Sequence, residues 1–147
     1  MLTEAGCIAR RQNLWNRLPE EIEWVLVGDS RHVQYLSNFR INPISFSADQ
    51  KALLLLLRDG RSVLLADNFT KRSAASPVFV TDEVVIPWYT HRKSVTNRDH
   101  ALLQALGEAE RFWKGRTGLI EPEGISEMAA AAVGRTDMLD PKIFGFE

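Results

Sequence analysis

Ala52-Leu53-Leu54-Leu55-Leu56-Leu57-Arg58-Asp59-Gly60-Arg61-Ser62-Val63-Leu64-Leu65-Ala66 is the stretch from which the fold can be read. Two apolar runs, Ala52 to Leu57 and Ser62 to Ala66, flank Asp59-Gly60. A tight hairpin turn needs positive φ, which Gly and Asp tolerate, so the runs are expected to pair as a hairpin. Neither run alternates with polar residues, which places both strands inside a sheet covered by helices on each face. The run from Ala52 to Leu57 is also the longest apolar stretch, far short of the roughly 20 residues that span a bilayer.

Upstream of the hairpin, Ile8, Arg11, Leu14, Trp15 and Leu18 recur at helical spacing, and Pro19 should end that helix. Glu23 to Val27 reads as a buried strand stopped at Gly28-Asp29, and Ser30 as the N-cap of a short helix through Val33, Tyr35 and Leu36. Residues 37–50 mix turn formers with Phe39, Ile41, Ile44 and Phe46, so this loop either docks on its own sheet or covers a partner. Downstream, a helical turn or two is expected within Asn68 to Ser76 and one or two strands within Val78 to Pro87. A long helix capped by Thr96 or Asn97 should bury Leu102, Leu103, Leu106, Ala109 and Trp113. Gly118 to Glu121 is a short strand, Ser126 with Glu127 opens an Ala-rich helix stopped by Gly134, and Lys142 to Phe144 is expected to be the last strand. Helices alternating with strands around one hairpin argue a mixed α/β sheet.

The chain has 147 residues, 45% of them hydrophobic, which fits a single domain over residues 1–147 that needs no disulfide or metal staple. Its 18 basic and 19 acidic residues are spread without a dense basic segment, which speaks against nucleic acid as a partner. His91-Arg92-Lys93 with Arg98 reads as a solvated loop. With one cysteine, Cys7, no intrachain disulfide can form, and the first residues lack a signal-peptide pattern, so a cytoplasmic location is expected.

Chemistry is sparse. His32, His91 and His100 match no metal-ligand spacing, and Gly115-Arg116-Thr117-Gly118 precedes a strand rather than a helix, so neither a metal nor a phosphate site is expected. Ser30 with His32 could form a small hydrolase site, but the glycine two residues after the serine that a nucleophile elbow needs is missing. Asp82-Glu83 is read as a turn, and Cys7 as a core thiol on the first helix with nothing nearby to lower its pKa.

One segment carries a resemblance. After the first helix and strand comes His32-Val33-Gln34-Tyr35-Leu36-Ser37-Asn38-Phe39, followed by a loop and an apolar hairpin closing on Ala66-Asp67. This resembles the N-terminal domain of the creatinase, prolidase and aminopeptidase P family, which typically shows Asn-Ile-x-Tyr-Leu-Thr-Gly-Phe here. Tyr35, Leu36 and Phe39 match, and Val33 and Ser37 are conservative variants. His32 stands where the family has Asn, and Asn38 where it has Gly; Asn38 can keep the turn because Asn tolerates positive φ.

The resemblance implies an α/β fold with a mixed, roughly six-stranded sheet and flanking helices, of the ribonuclease-H-like kind. It implies no catalysis by this chain. In the family, two divalent metal ions are held by two Asp, one His and two Glu of a separate C-terminal pita-bread domain, which would begin near Glu147. The end of the chain, Ile143 to Glu147, has no cap or polar tail and reads as an internal point of a longer protein. The implied role is that of a noncatalytic domain of a metal-dependent Xaa-Pro peptidase, either prolidase or aminopeptidase P in type. It would help to form the oligomer with a neighbouring subunit and wall one side of the entrance for short Xaa-Pro peptides. The entrance loop would then carry Phe39, Arg40, Ile41, Asn42 and Phe46, with Arg40 meeting a peptide carboxylate and Phe46 a proline ring. A standalone binding or oligomerisation module without its catalytic partner is the alternative.

Overall fold

A computed structural model describes residues 2–40, 51–72, 74, 77–94, 98–134 and 137–144. The first half contains α1 (Glu4–Arg17), β1 (Trp24–Val27), α2 (Ser30–Ser37), β2 (Ala52–Leu57), β3 (Ser62–Asp67) and α3 (Asn68–Arg72). The second half contains β4 (Asp82–Ile86), β5 (Tyr89–Thr90), β6 (Lys93–Ser94), α4 (Arg98–Glu108), α5 (Glu110–Trp113), β7 (Gly118–Ile120) and α6 (Glu127–Ala132). A single 3-10 turn, Pro141–Phe144, follows.

The apolar hairpin lies at the centre of a five-stranded sheet of order β4-β3-β2-β1-β7. The turn holds Gly60 at φ 98°, and Leu54 pairs with Leu64 across the antiparallel strands. β1 adds antiparallel to β2, whereas β7 joins β1 and β4 joins β3 in parallel, which makes the sheet mixed. Every residue of β1, β2 and β3 is buried. Side chains of a strand point to alternate faces. Leu53, Leu55 and Leu57 meet Ala101, Leu102, Ala105 and Leu106 of α4 on one side. Leu54 and Leu56 meet Leu14 and Trp15 of α1 and Val33 and Leu36 of α2 on the other. The unalternating runs thus have the two-sided cover that their composition demands.

Several local expectations shift. The sheet has five strands rather than six, because Pro141 and its neighbours form the 3-10 turn instead of a strand over Lys142 to Phe144. Asp140 directs this: its side chain accepts from the Lys142 amide at 2.9 Å and its carbonyl from Ile143 at 3.0 Å, while Pro141 has no N–H to give a ladder. What remains of a sixth strand is one parallel bridge, Ile120 to Met138. Asp82-Glu83 is not a turn but the exposed start of β4, paired with Val63 and Leu64. On α1 the buried stripe runs through Cys7, Arg11, Leu14 and Trp15, leaving Ile8 40% exposed. On α4, Ala101 and Ala105 face the sheet, while Leu103 is only half-buried. His91 and Arg92 are exposed between β5 and β6, which pair as a separate small hairpin. Thr96 and Asn97 lie outside the described residues. No described helix is long and apolar enough to cross a membrane.

Gly118 stands opposite Trp24 in the β1–β7 register, and a Cβ there would fall within the buried Trp24 ring. Gly118→Ala is therefore expected to overpack this face and lower stability by about 2 kcal/mol. Urea unfolding checks this; an unchanged midpoint would show that the ring is free to move aside.

Candidate functional site

Two places on the same side of the sheet hold the residues of interest, one at each end of α2. At its C-terminus the helix is closed by Asn38 at φ 60°, in the left-handed conformation that Asn tolerates. The Asn38 amide donates to the Gln34 carbonyl at 2.7 Å, and its side chain donates to the Pro77 carbonyl at 2.8 Å. Leu36 and Phe39 are buried in the core beneath α1 and α2, and the half-buried Tyr35 lies under the Arg10 guanidinium, 4.7 Å from its ring centre. Arg40 is exposed immediately after. Tyr35, Leu36, Asn38 and Phe39 therefore form a helix terminus that releases the chain to the surface at Arg40. Ile41, Asn42 and Phe46 lie outside the described residues.

At the N-terminus of α2 the cap is Asp29, not Ser30. The Asp29 carboxylate accepts from the Arg31 amide at 2.8 Å, and Ser30 becomes the exposed first residue of the helix. The same carboxylate pairs with the Arg31 guanidinium at 2.7 Å. The hydrogen bond from Arg31 holds the Asp29 carboxyl down to about 2, against the opposing effect of burial. Behind it stands Glu121, directly after β7 and only 3% exposed. One of its oxygens accepts from the amides of Gly28 at 2.8 Å and Asp29 at 2.7 Å, and the other meets Nδ1 of His32. The His32 ring stacks on Phe144 of the 3-10 turn, with centres 4.2 Å apart.

This second cluster was not legible in the sequence, where His32 was noted only as standing where the family has Asn. The single hint was a carboxylate placed directly after an apolar strand. Beside the cluster opens a pocket of about 340 Å³ lined by Arg31, His32, Glu121, Pro122, Glu123, Leu139 and Phe144. Both Glu121 oxygens are taken by donors of the fold itself, so its arrangement suits a clasp between β1, α2 and β7 rather than proton transfer. The clasp is tightened where Gly28 meets Gly124, whose backbones approach too closely for a Cβ on either. His32 engages Glu121 through Nδ1, and Ser30 is exposed at the start of the helix. Among the described residues no three His, Cys, Asp or Glu side chains could jointly hold a metal ion. Cys7 is buried, and desolvation pushes its thiol up although Arg10 approaches the sulfur at 3.7 Å. Arg10 and Arg11 do act to lower its pKa, contrary to the expectation that nothing nearby would, but burial outweighs them and disfavours the thiolate.

Glu121→Ala would strip two amides of their acceptor, and a loss of about 3 kcal/mol is expected. Glu121→Gln, which keeps one carbonyl oxygen, should recover part of it; equal losses in urea unfolding would contradict the carboxylate's role as acceptor. Asp29→Ala should cost about 1 kcal/mol at neutral pH through the lost cap. Because the folded-state value of Asp29 lies below its ordinary 3.8, this contribution is complete above pH 4 and disappears as pH falls through about 2. The urea midpoints of wild type and Asp29→Ala should converge over that window, and parallel curves would refute the assignment.

No family model and no curated protein sequence matches the chain. Solved structures do. An Xaa-Pro aminopeptidase structure from Streptococcus pyogenes superposes with a TM-score of 0.53 at 16% identity, over 97% of this chain and 98% of that one. The creatinase/prolidase N-terminal domain of an X-Pro dipeptidase from Streptococcus pyogenes gives 0.55 at 12% identity, over 98% and 100% of the two chains. An Xaa-Pro dipeptidase from Bacillus anthracis gives 0.55 at 11% identity; it covers 96% of this chain, which spans only 34% of the dipeptidase. At such identities the likeness is one of fold, and the fold is that of the creatinase/prolidase N-terminal domain.

Proposed function

We propose that this chain is the noncatalytic N-terminal domain of a cytoplasmic, metal-dependent Xaa-Pro peptidase of prolidase or aminopeptidase P type. Its partners are the enzyme's own C-terminal catalytic domain, which would hold two divalent metal ions, and a neighbouring subunit. The observation that carries this reading is the end-to-end likeness in fold to the creatinase/prolidase N-terminal domain of an X-Pro dipeptidase. The Bacillus anthracis dipeptidase, of which this chain spans 34%, has length enough for a further domain.

The domain's role is to contribute to the oligomer and to wall one side of the entrance for short Xaa-Pro peptides. Support comes from the end of α2, where Phe39 is buried and Arg40 exposed on adjacent residues. An exposed guanidinium can form a charge-assisted, bidentate contact with a peptide carboxylate. Phe39, Arg40, Ile41, Asn42 and Phe46 are the residues proposed for this wall.

The coding sequence beyond codon 147 tests the assignment. An open frame encoding two Asp, one His and two Glu in that order supports it, whereas a stop codon there leaves a standalone binding or oligomerisation module. In the full-length enzyme, Arg40→Ala is expected to raise KM for an Xaa-Pro dipeptide about tenfold with little change in kcat, as loss of uniform binding does. An unchanged KM would discard Arg40 as a substrate contact.

A further inference from the structure

We infer that Arg11 is a positioning residue, which holds the C-terminus of α2 and the segment around Phe79 together and so fixes the direction in which the chain leaves at Phe39 and Arg40. The argument begins with the carbonyls of α2. A helix leaves its last four C=O groups without partners inside the helix. In α2 these belong to Gln34, Tyr35, Leu36 and Ser37. Gln34 accepts from the Asn38 amide at 2.7 Å and Ser37 from the Phe79 amide at 2.8 Å. Tyr35 accepts from Arg10 Nη1 at 3.1 Å. Leu36 accepts from Arg11 Nη1 at 2.7 Å, and the same nitrogen donates to the Phe79 carbonyl at 2.9 Å.

Arg11 thus ties the end of α2 directly to residue 79, and it does so as a residue only 8% exposed. A cation at a helix C-terminus also meets the negative end of the helix dipole. The two hydrogens on Nη1 suit two carbonyls at once, a geometry that a lysine ammonium on a shorter stem does not reproduce. Around this point Ser37 Oγ donates to the Val33 carbonyl at 2.6 Å and accepts from the Phe39 amide at 3.2 Å, so the exit at Phe39 is hydrogen-bonded to the same helix end. Only the consequence for substrate binding rests on the function proposed above; the consequence for the backbone does not.

Amide hydrogen exchange followed by NMR separates a local role from general stability. In Arg11→Met, protection at Asn38, Phe39 and Phe79 should fall about tenfold while Leu54 and Leu64 in the central hairpin keep theirs, as expected for a local opening. Loss of protection at all five positions alike, or at none, overturns the inference. Should Arg11→Met not fold, Arg11→Lys serves instead: selective loss at the same three amides supports the inference, and full wild-type protection overturns it. In the parent enzyme, Arg11→Met should raise KM for an Xaa-Pro dipeptide with kcat retained. Selective exchange with an unchanged KM would reject the entrance role and leave the positioning role standing.

Discussion

Two strands without a polar face cannot be stable with either side in water, and the architecture follows from that constraint. Leu53 to Leu57 and Val63 to Leu65 are each no more than 2% exposed, which requires one helical layer above the sheet and another below. The chain meets this by sending α1 and α2 to one side and α4 to α6 to the other. Once the hairpin is central, β1 and β7 on one flank and β4 on the other complete the sheet, and the ends of α2 come to lie where strands and helices meet.

α2 has only eight residues, too few to be stable on its own in water. It is held by charges from elsewhere that match its dipole. The Glu121 carboxylate sits against the amides that lead into its N-terminus, and Arg10 and Arg11 reach the carbonyls at its C-terminus. The negative group comes from beyond β7 and the positive ones from α1, so this short helix reports on the correct docking of both. The segment of closest likeness to the creatinase and prolidase pattern, Tyr35 to Phe39, is the end of this doubly held helix. Its role in the fold is therefore accounted for by hydrogen bonds before any substrate is considered.

Features whose cause is local were legible in the sequence. Asp59-Gly60 announced its turn, Ser126 its cap, which accepts from the Ala129 amide at 3.1 Å, and Asn38 its left-handed φ. Features whose cause is a distant partner were not. His32 and Glu121 are 89 residues apart, and the apolar strand before Glu121 marks the carboxylate but not its partner. Arg11 falls in the helical stripe of α1, and the positions of Leu36 and Phe79 explain why a charge is buried there. The missing sixth strand falls between the two cases: Asp140-Pro141 is a local signal for a helical start, whereas the expected strand rested on Lys142 to Phe144 alone.

The contact between Gly28 and Gly124 restricts how this sequence can diverge. Each residue abuts the other's main chain, so enlarging one cannot be compensated by shrinking the other's side chain, since neither has any. Gly124 is further confined by its φ of 77°. The two positions form a pair in which both members must stay glycine, although 95 residues lie between them. In this chain the constraint is therefore written in the main chain, and no choice of side chain at either position can relieve it.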